Sequence, residues 1–125
     1  MTEQIGVLVV DDNQDLAEMF AALINGEPDM ACTGTLGSAD ALLETIRDRR
    51  PDVVLLDLTM PGKDPLEALR EIVAEEGSPP VLVLSGYDDV VTRKRVQDQG
   101  ARGFVSKQGD IPAILESIRE VVREK

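Results

Sequence analysis

Short apolar runs and amphipathic stretches alternate along the whole chain, and that alternation decides which folds are open to it. Ile5–Val10 is a continuous apolar run closed by Asp11-Asp12, which reads as a buried strand. Leu16, Phe20, Leu23 and Ile24 follow at helical spacing, and Asn25-Gly26 stops that helix. Met30–Thr35 is a weaker strand. Ser38 is placed to cap a helix bearing Ala39, Leu42, Leu43 and Ile46, which Pro51 ends. Val53–Leu56 is a second strong strand. Pro65 suits the first turn of a helix carrying Leu66, Leu69, Ile72 and Val73. Pro80–Leu84 is a further buried strand. Asp88–Gln99 reads as a helix with a thin apolar stripe of Val90, Val91 and Val96. Gly103–Ser106 is a short strand, and Asp110 should cap a last helix bearing Ile111, Ile114, Leu115, Ile118, Val121 and Val122. Continuous apolar strands between amphipathic helices imply an α/β fold: a parallel five-stranded sheet covered on both faces.

Composition narrows the function. At 125 residues the chain is expected to be one domain, 1–125. Its 24 acidic and 13 basic residues give a formal charge of −11, which disfavours nucleic acid and anionic membranes as direct partners. The chain contains no histidine, so histidine-based catalysis is excluded. No apolar run approaches the roughly 20 residues of a membrane span, and no secretory leader precedes the first strand. The single cysteine, Cys32, is expected to be an inert core thiol, and a reducing cytoplasm fits best.

In an open doubly wound sheet, ligands bind outside the carboxyl ends of the strands. The first strand delivers Asp11 and Asp12 there, the third Asp57, the fourth Ser85 and the fifth Lys107. Clustered carboxylates repel one another unless a cation joins them, and Mg²⁺ accepts a few carboxylates with water. A cation beside a carboxylate invites a phosphoryl group. Asp57 would then be the in-line nucleophile, Lys107 would neutralise phosphoryl oxygens and Ser85 would hydrogen-bond one of them.

The same residues form motifs: "VVDDN" after strand one, "LLDLTMPG" at strand three, "VLSGY" at strand four and "GFVSK" at strand five. The intervals are 45 residues from Asp12 to Asp57, 28 to Ser85 and 22 to Lys107. Along its whole length the chain resembles the receiver domain of bacterial two-component response regulators. The resemblance implies a flavodoxin-like (βα)5 fold, doubly wound, with strand order 2-1-3-4-5. It implies that Asp57 is the phospho-acceptor and that Asp12, with Asp11, holds Mg²⁺. The backbone carbonyl of Thr59 would be a further metal ligand. Ser85 and Lys107 would contact the phosphoryl group, and Ser85 and Phe104 would move together as the switch. The donor would be a sensor histidine kinase or a phosphotransfer protein. Two departures stand out: Asp64-Pro65 replaces the family's usual Asp-Gly, and Gln108 rather than proline follows Lys107.

Rival chemistries fit less well. A haloacid-dehalogenase-type phosphatase wants an acid two residues after the nucleophile, where this chain has Thr59. Flavodoxin needs a glycine- and hydroxyl-rich phosphate loop after strand one, where Asp11-Asp12-Asn13 would repel phosphate. The weakly packed fourth helix points to helix four, strand five and helix five as the output face, with Arg93, Lys94 and Arg95 as a solvated basic patch or, alternatively, a partner contact. Activation is expected to produce a homodimer. The segments around "SADALLETIRDRRPDVVLLDLTMPG" and "GARGFVSK" look most like receivers joined to a helix-turn-helix output domain, so transcription regulation is the expected role. A stand-alone receiver, acting in a phosphorelay or by protein-protein interaction, is the alternative. Thr59 and Tyr87 should border the approach of hydrolytic water, which predicts slow self-dephosphorylation.

Overall fold

The structure, a computed structural model, describes residues 4–86 and 90–124. Strands and helices alternate as expected: β1 (Ile5–Val10), α1 (Gln14–Asn25), β2 (Met30–Leu36), α2 (Leu42–Arg49), β3 (Val53–Asp57), α3 (Pro65–Ala74), β4 (Val81–Ser85), α4 (Val90–Asp98), β5 (Gly103–Ser106) and α5 (Ile111–Arg123). The strands pair in parallel in the order β2-β1-β3-β4-β5.

Successive strand residues point to opposite faces, so each apolar strand feeds two cores. On one face Val7, Val9, Val53, Leu55, Leu82, Leu84 and Val105 meet Phe20 and Ile24 of α1 and Ile114, Ile118 and Val121 of α5. On the other, Leu8, Val10, Val54, Leu56, Val81 and Val83 meet Leu42 and Ile46 of α2, Leu69 and Ile72 of α3, and Val96 of α4. With only two phenylalanines in the chain, the aliphatics fill both layers. Truncating one fully buried leucine here to alanine should cost about 2–5 kcal/mol.

The helix ends follow local chemistry, with corrections to the expected caps. The Asn13 side chain accepts the Leu16 N–H at 3.1 Å and starts α1. The Asp64 side chain accepts the Leu66 N–H at 3.0 Å, with Pro65 at the first helical position of α3. Ser38 does not cap α2, which begins later, after Ala41. Its hydroxyl instead lies 3.4 Å from the Asp40 N–H in the preceding turn. Asp110 occupies the cap position of α5, but its side chain bonds no helix N–H; Pro112 has removed one of the two donors a cap would take. The last helical residue of α2 is Arg49, and the chain turns before Pro51 through Arg50 in a left-handed conformation, φ 46°.

Three apolar expectations also change. Val73 is 43% exposed; it lies over Gly100, where a Cβ would come within 2.8 Å of its Cγ2. Val90 and Val91 are 80% and 77% exposed, leaving Val96 as the buried residue of α4. Cys32 is half-buried rather than core, and its thiol donates to the Gly34 carbonyl at 3.3 Å. Burial pushes that thiol's pKa up, against the carbonyl contact and the charge of Arg49.

Candidate functional site

The sheet register carries the site residues to one rim. Val10 pairs with Leu56, so Asp11 emerges beside Asp57. Asp57 pairs with Leu84, so Ser85 follows one position later on the next strand. Ser85 pairs with Ser106, so Lys107 stands just past the end of β5. The Lys107 N–H donates to the Ser85 carbonyl at 2.9 Å, and the Leu58 N–H to the Leu84 carbonyl at 3.1 Å, which extends the ladder into the site. Four strands thus converge on a single edge, and Lys107 needs its long side chain to reach back across β4 towards β3.

Its ammonium bridges two buried carboxylates. Lys107 Nζ lies 3.1 Å from Asp11 Oδ2 and 3.1 Å from Asp57 Oδ2. Each carboxylate's other oxygen is held by backbone two residues on: the Asn13 N–H donates to Asp11 Oδ1 at 3.0 Å, and the Thr59 N–H to Asp57 Oδ1 at 3.1 Å. Asp11, Asp57 and Ser85 are almost fully buried, whereas Asp12 is exposed beside them. Burial drives the Asp57 pKa up; the Thr59 N–H and Lys107 oppose that, and the Asp11 charge adds to it, so the acid stands above the ordinary carboxylate range. Burial would lower Lys107, but its contacts to Asp11 and Asp57 outweigh that and raise it.

The donor set fits a hard divalent cation. One oxygen from each of Asp11, Asp12 and Asp57 lies within 4.8 Å of the others. Opposite ligands of an octahedral Mg²⁺ stand about 4.2 Å apart, so a small side-chain adjustment closes the set. Asp11 Oδ2 and Asp57 Oδ2 are buried without an aligned hydrogen-bond donor, although each has the Lys107 charge nearby. Three carboxylates against one ammonium leave two negative charges over, the amount a divalent ion supplies.

Around this centre the expected residues divide. Thr59 is exposed on the loop after β3. Phe104 is half-buried against the second core, with the Arg93 guanidinium 4.7 Å over its ring. Tyr87, the other expected guard of the water path, lies outside the described residues. Sequence reasoning overlooked Asp40. Its Oδ1 accepts the Lys63 N–H at 3.0 Å and lies against Gly62, whose φ of 86° suits a residue without a side chain. It therefore ties the β2–α2 connection to the loop that carries Thr59. Nothing in its sequence neighbourhood signals this, because the tie spans 23 residues. No cis peptide bond occurs among the described residues, Lys107–Gln108 included.

Comparison with known proteins agrees with the fold. The family model described as response regulator receiver domain matches residues 7–119. The chain is 34% identical over 125 residues to protein-glutamate methylesterase/protein-glutamine glutaminase 2 of Burkholderia thailandensis, covering 95% of this chain and 35% of that protein. It is 28% identical to the transcriptional regulatory protein DegU of Brevibacillus brevis, covering 96% of this chain and 51% of that one. The chain therefore spans about a third to a half of the length of these relatives. Among solved structures, the signal receiver domain of the response regulator NarL from Mycobacterium tuberculosis superposes with a TM-score of 0.91 at 27% identity, covering 98% of this chain and 99% of that one. The strand-end cluster thus stands on a receiver-type scaffold, and the chain belongs to the response regulator receiver domain family.

Proposed function

We propose that this domain, 1–125 as one unit, takes a phosphoryl group onto Asp57 from the phosphohistidine of a sensor histidine kinase or phosphotransfer protein. The observation that carries the reading is a buried Asp57 bridged by Lys107 to a second buried carboxylate, an arrangement that costs stability and has no packing purpose. A carboxylate oxygen of Asp57 forms the new O–P bond while the P–N bond to the donor imidazole breaks, and its electron pair returns to that ring nitrogen. Lys107 turns from the carboxylates towards the incoming phosphoryl oxygens, and the Ser85 hydroxyl donates to one of them. The Thr59 N–H holds the other Asp57 oxygen in place during attack. Asp11, Asp12, Asp57 and the Thr59 carbonyl would hold Mg²⁺, which supplies charge neutralisation at the phosphoryl group. Later attack by water returns the carboxylate and releases inorganic phosphate, so the domain acts on itself and on no external substrate.

The response would pass through Ser85 and Phe104 to the face of α4, β5 and α5. That helix has one buried residue, Val96, to hold it, and phosphorylation would bring two copies together through this face. Light scattering with and without beryllofluoride reads the mass change. Transcription regulation is the output favoured by the likeness to the transcriptional regulatory protein DegU; the 34% identity to a methylesterase carries a second reading, an enzymatic output domain. Mass spectrometry after treatment with acetyl phosphate and Mg²⁺ tests the acceptor. One phosphoryl group is expected on the wild type and none on Asp57→Asn, and unchanged uptake by the variant would refute the assignment.

A further inference from the structure

A cleft of about 340 Å³ opens beside the site, lined by Thr59, Asp64 and Ser85 and, from α4, by Thr92, Arg95 and Val96. The three cations of α4 are not equivalent. Arg93 lies over the Phe104 ring, and Lys94 Nζ is 3.7 Å from Asp98. Arg95 alone of the three lines this cleft, and its guanidinium has no hydrogen-bond or ion-pair partner among the described residues.

We propose that Arg95 is the second cation of the phosphorylated state, closing across the cleft onto the phosphoryl group held at Asp57. The inference rests on the acceptor role proposed above. Charge decides it. With a divalent ion bound, Asp11, Asp12, Asp57 and Lys107 form a neutral set. Converting the Asp57 carboxylate into an acyl phosphate replaces one negative charge by about two, leaving one charge uncompensated. Lys107 is already counted in that neutral set, so turning to the phosphoryl group it brings no further charge. Arg95 is the cation among the residues lining the cleft, and a guanidinium matches phosphoryl oxygens with several donors. α4 presents it, and with Val96 as its buried residue that helix has little packing to resist a shift towards the site. Closure would couple phosphorylation directly to movement of α4.

Beryllofluoride, a phosphoryl mimic that needs no protein donor, provides the test. Its affinity for the full chain is measured in saturating Mg²⁺ for wild type, Arg95→Gln, Arg95→Lys and Lys94→Gln, alongside the Mg²⁺ affinity of each unmodified protein. Arg95→Gln should bind beryllofluoride about tenfold more weakly, the scale of one charge-assisted hydrogen bond, with Mg²⁺ affinity unchanged. Arg95→Lys should recover most of that loss. Lys94→Gln removes the same charge one residue away and should change affinity less than about twofold, as expected of a solvent-screened charge. Equal affinities in Arg95→Gln and wild type, or equal losses in Arg95→Gln and Lys94→Gln, would overturn the role of Arg95. If wild type itself neither binds beryllofluoride nor takes up phosphate at Asp57, the acceptor reading fails and this inference falls with it.

Discussion

Replacing Lys107 by methionine keeps the length of the side chain and removes the ammonium that bridges Asp11 and Asp57. At 3.1 Å and an effective dielectric near 20, each of the two ion pairs is worth about 5 kcal/mol before desolvation. Desolvating the ammonium offsets several kcal/mol of that attraction in the wild type. Protonation limits the loss from the other side. Neutralising one ordinary carboxyl at pH 7 costs about 4 kcal/mol, so the variant escapes any larger penalty by binding a proton. The expected loss is therefore about 2–4 kcal/mol in EDTA at neutral pH, or roughly 10 °C in melting temperature for a chain of this size. The pH dependence follows from Asp57, whose pKa burial already holds above the ordinary range and which would rise further without the ammonium. An acid whose folded pKa exceeds its unfolded value weakens the fold at high pH, and the deficit vanishes as pH falls from the folded towards the unfolded value. The gap between variant and wild type should thus be widest at alkaline pH and narrow towards about pH 4, where an ordinary carboxyl takes up its proton. Urea unfolding across that range, with and without Mg²⁺, measures it, and Mg²⁺ should stabilise the variant more than the wild type. A loss below about 1 kcal/mol at neutral pH, or a gap that does not close in acid, would show that the ammonium is not what holds the two carboxylates together.

Millimolar Mg²⁺ should raise the melting temperature of the wild type by mass action and do so far less in Asp12→Ala; equal shifts would remove Asp12 from the ligand set. Arg119 of α5 reaches Asp29 Oδ2 at 2.8 Å and Glu27 Oε1 at 2.7 Å, and this contact lowers the Asp29 pKa. A depressed acid stabilises the fold above its unfolded pKa and loses that contribution as pH falls through the folded value, so the wild type should lose its advantage over Arg119→Met below about pH 4; parallel acid limbs in the two melting curves would count against the pair. Phosphate should leave Tyr87→Ala faster than wild type if Tyr87 shields the water path, and equal decay would set that idea aside.

Much of this protein was legible in residue order. Periodicity marks every strand and helix within a few residues, because a buried parallel strand must be apolar on both faces and a covering helix on one. The charges at Asp11, Asp12, Asp57 and Lys107 were equally visible, since each interrupts or follows an apolar run where packing has no use for it. Cap details were less legible. Ser38 and Asp110 are good capping residues by type, yet neither caps, because a neighbouring turn takes the one and Pro112 removes a donor for the other. Val73 belongs to the apolar stripe of its helix by spacing, but the surface over Gly100 is where that side chain ends.

What the sequence determined by itself is the set of elements and the chemistry at their ends, since both depend on local order along the chain. What only the tertiary structure decided is which of those groups meet. Lys107 bridges Asp11 and Asp57 because parallel pairing sets β1, β3, β4 and β5 side by side in register, and a shift of one residue would turn every side chain to the other face. Asp40 reaches Lys63 because packing brings two remote loops together. Such neighbours lie far apart in the chain, and pairwise distance between remote residues is set by packing, which no local pattern encodes.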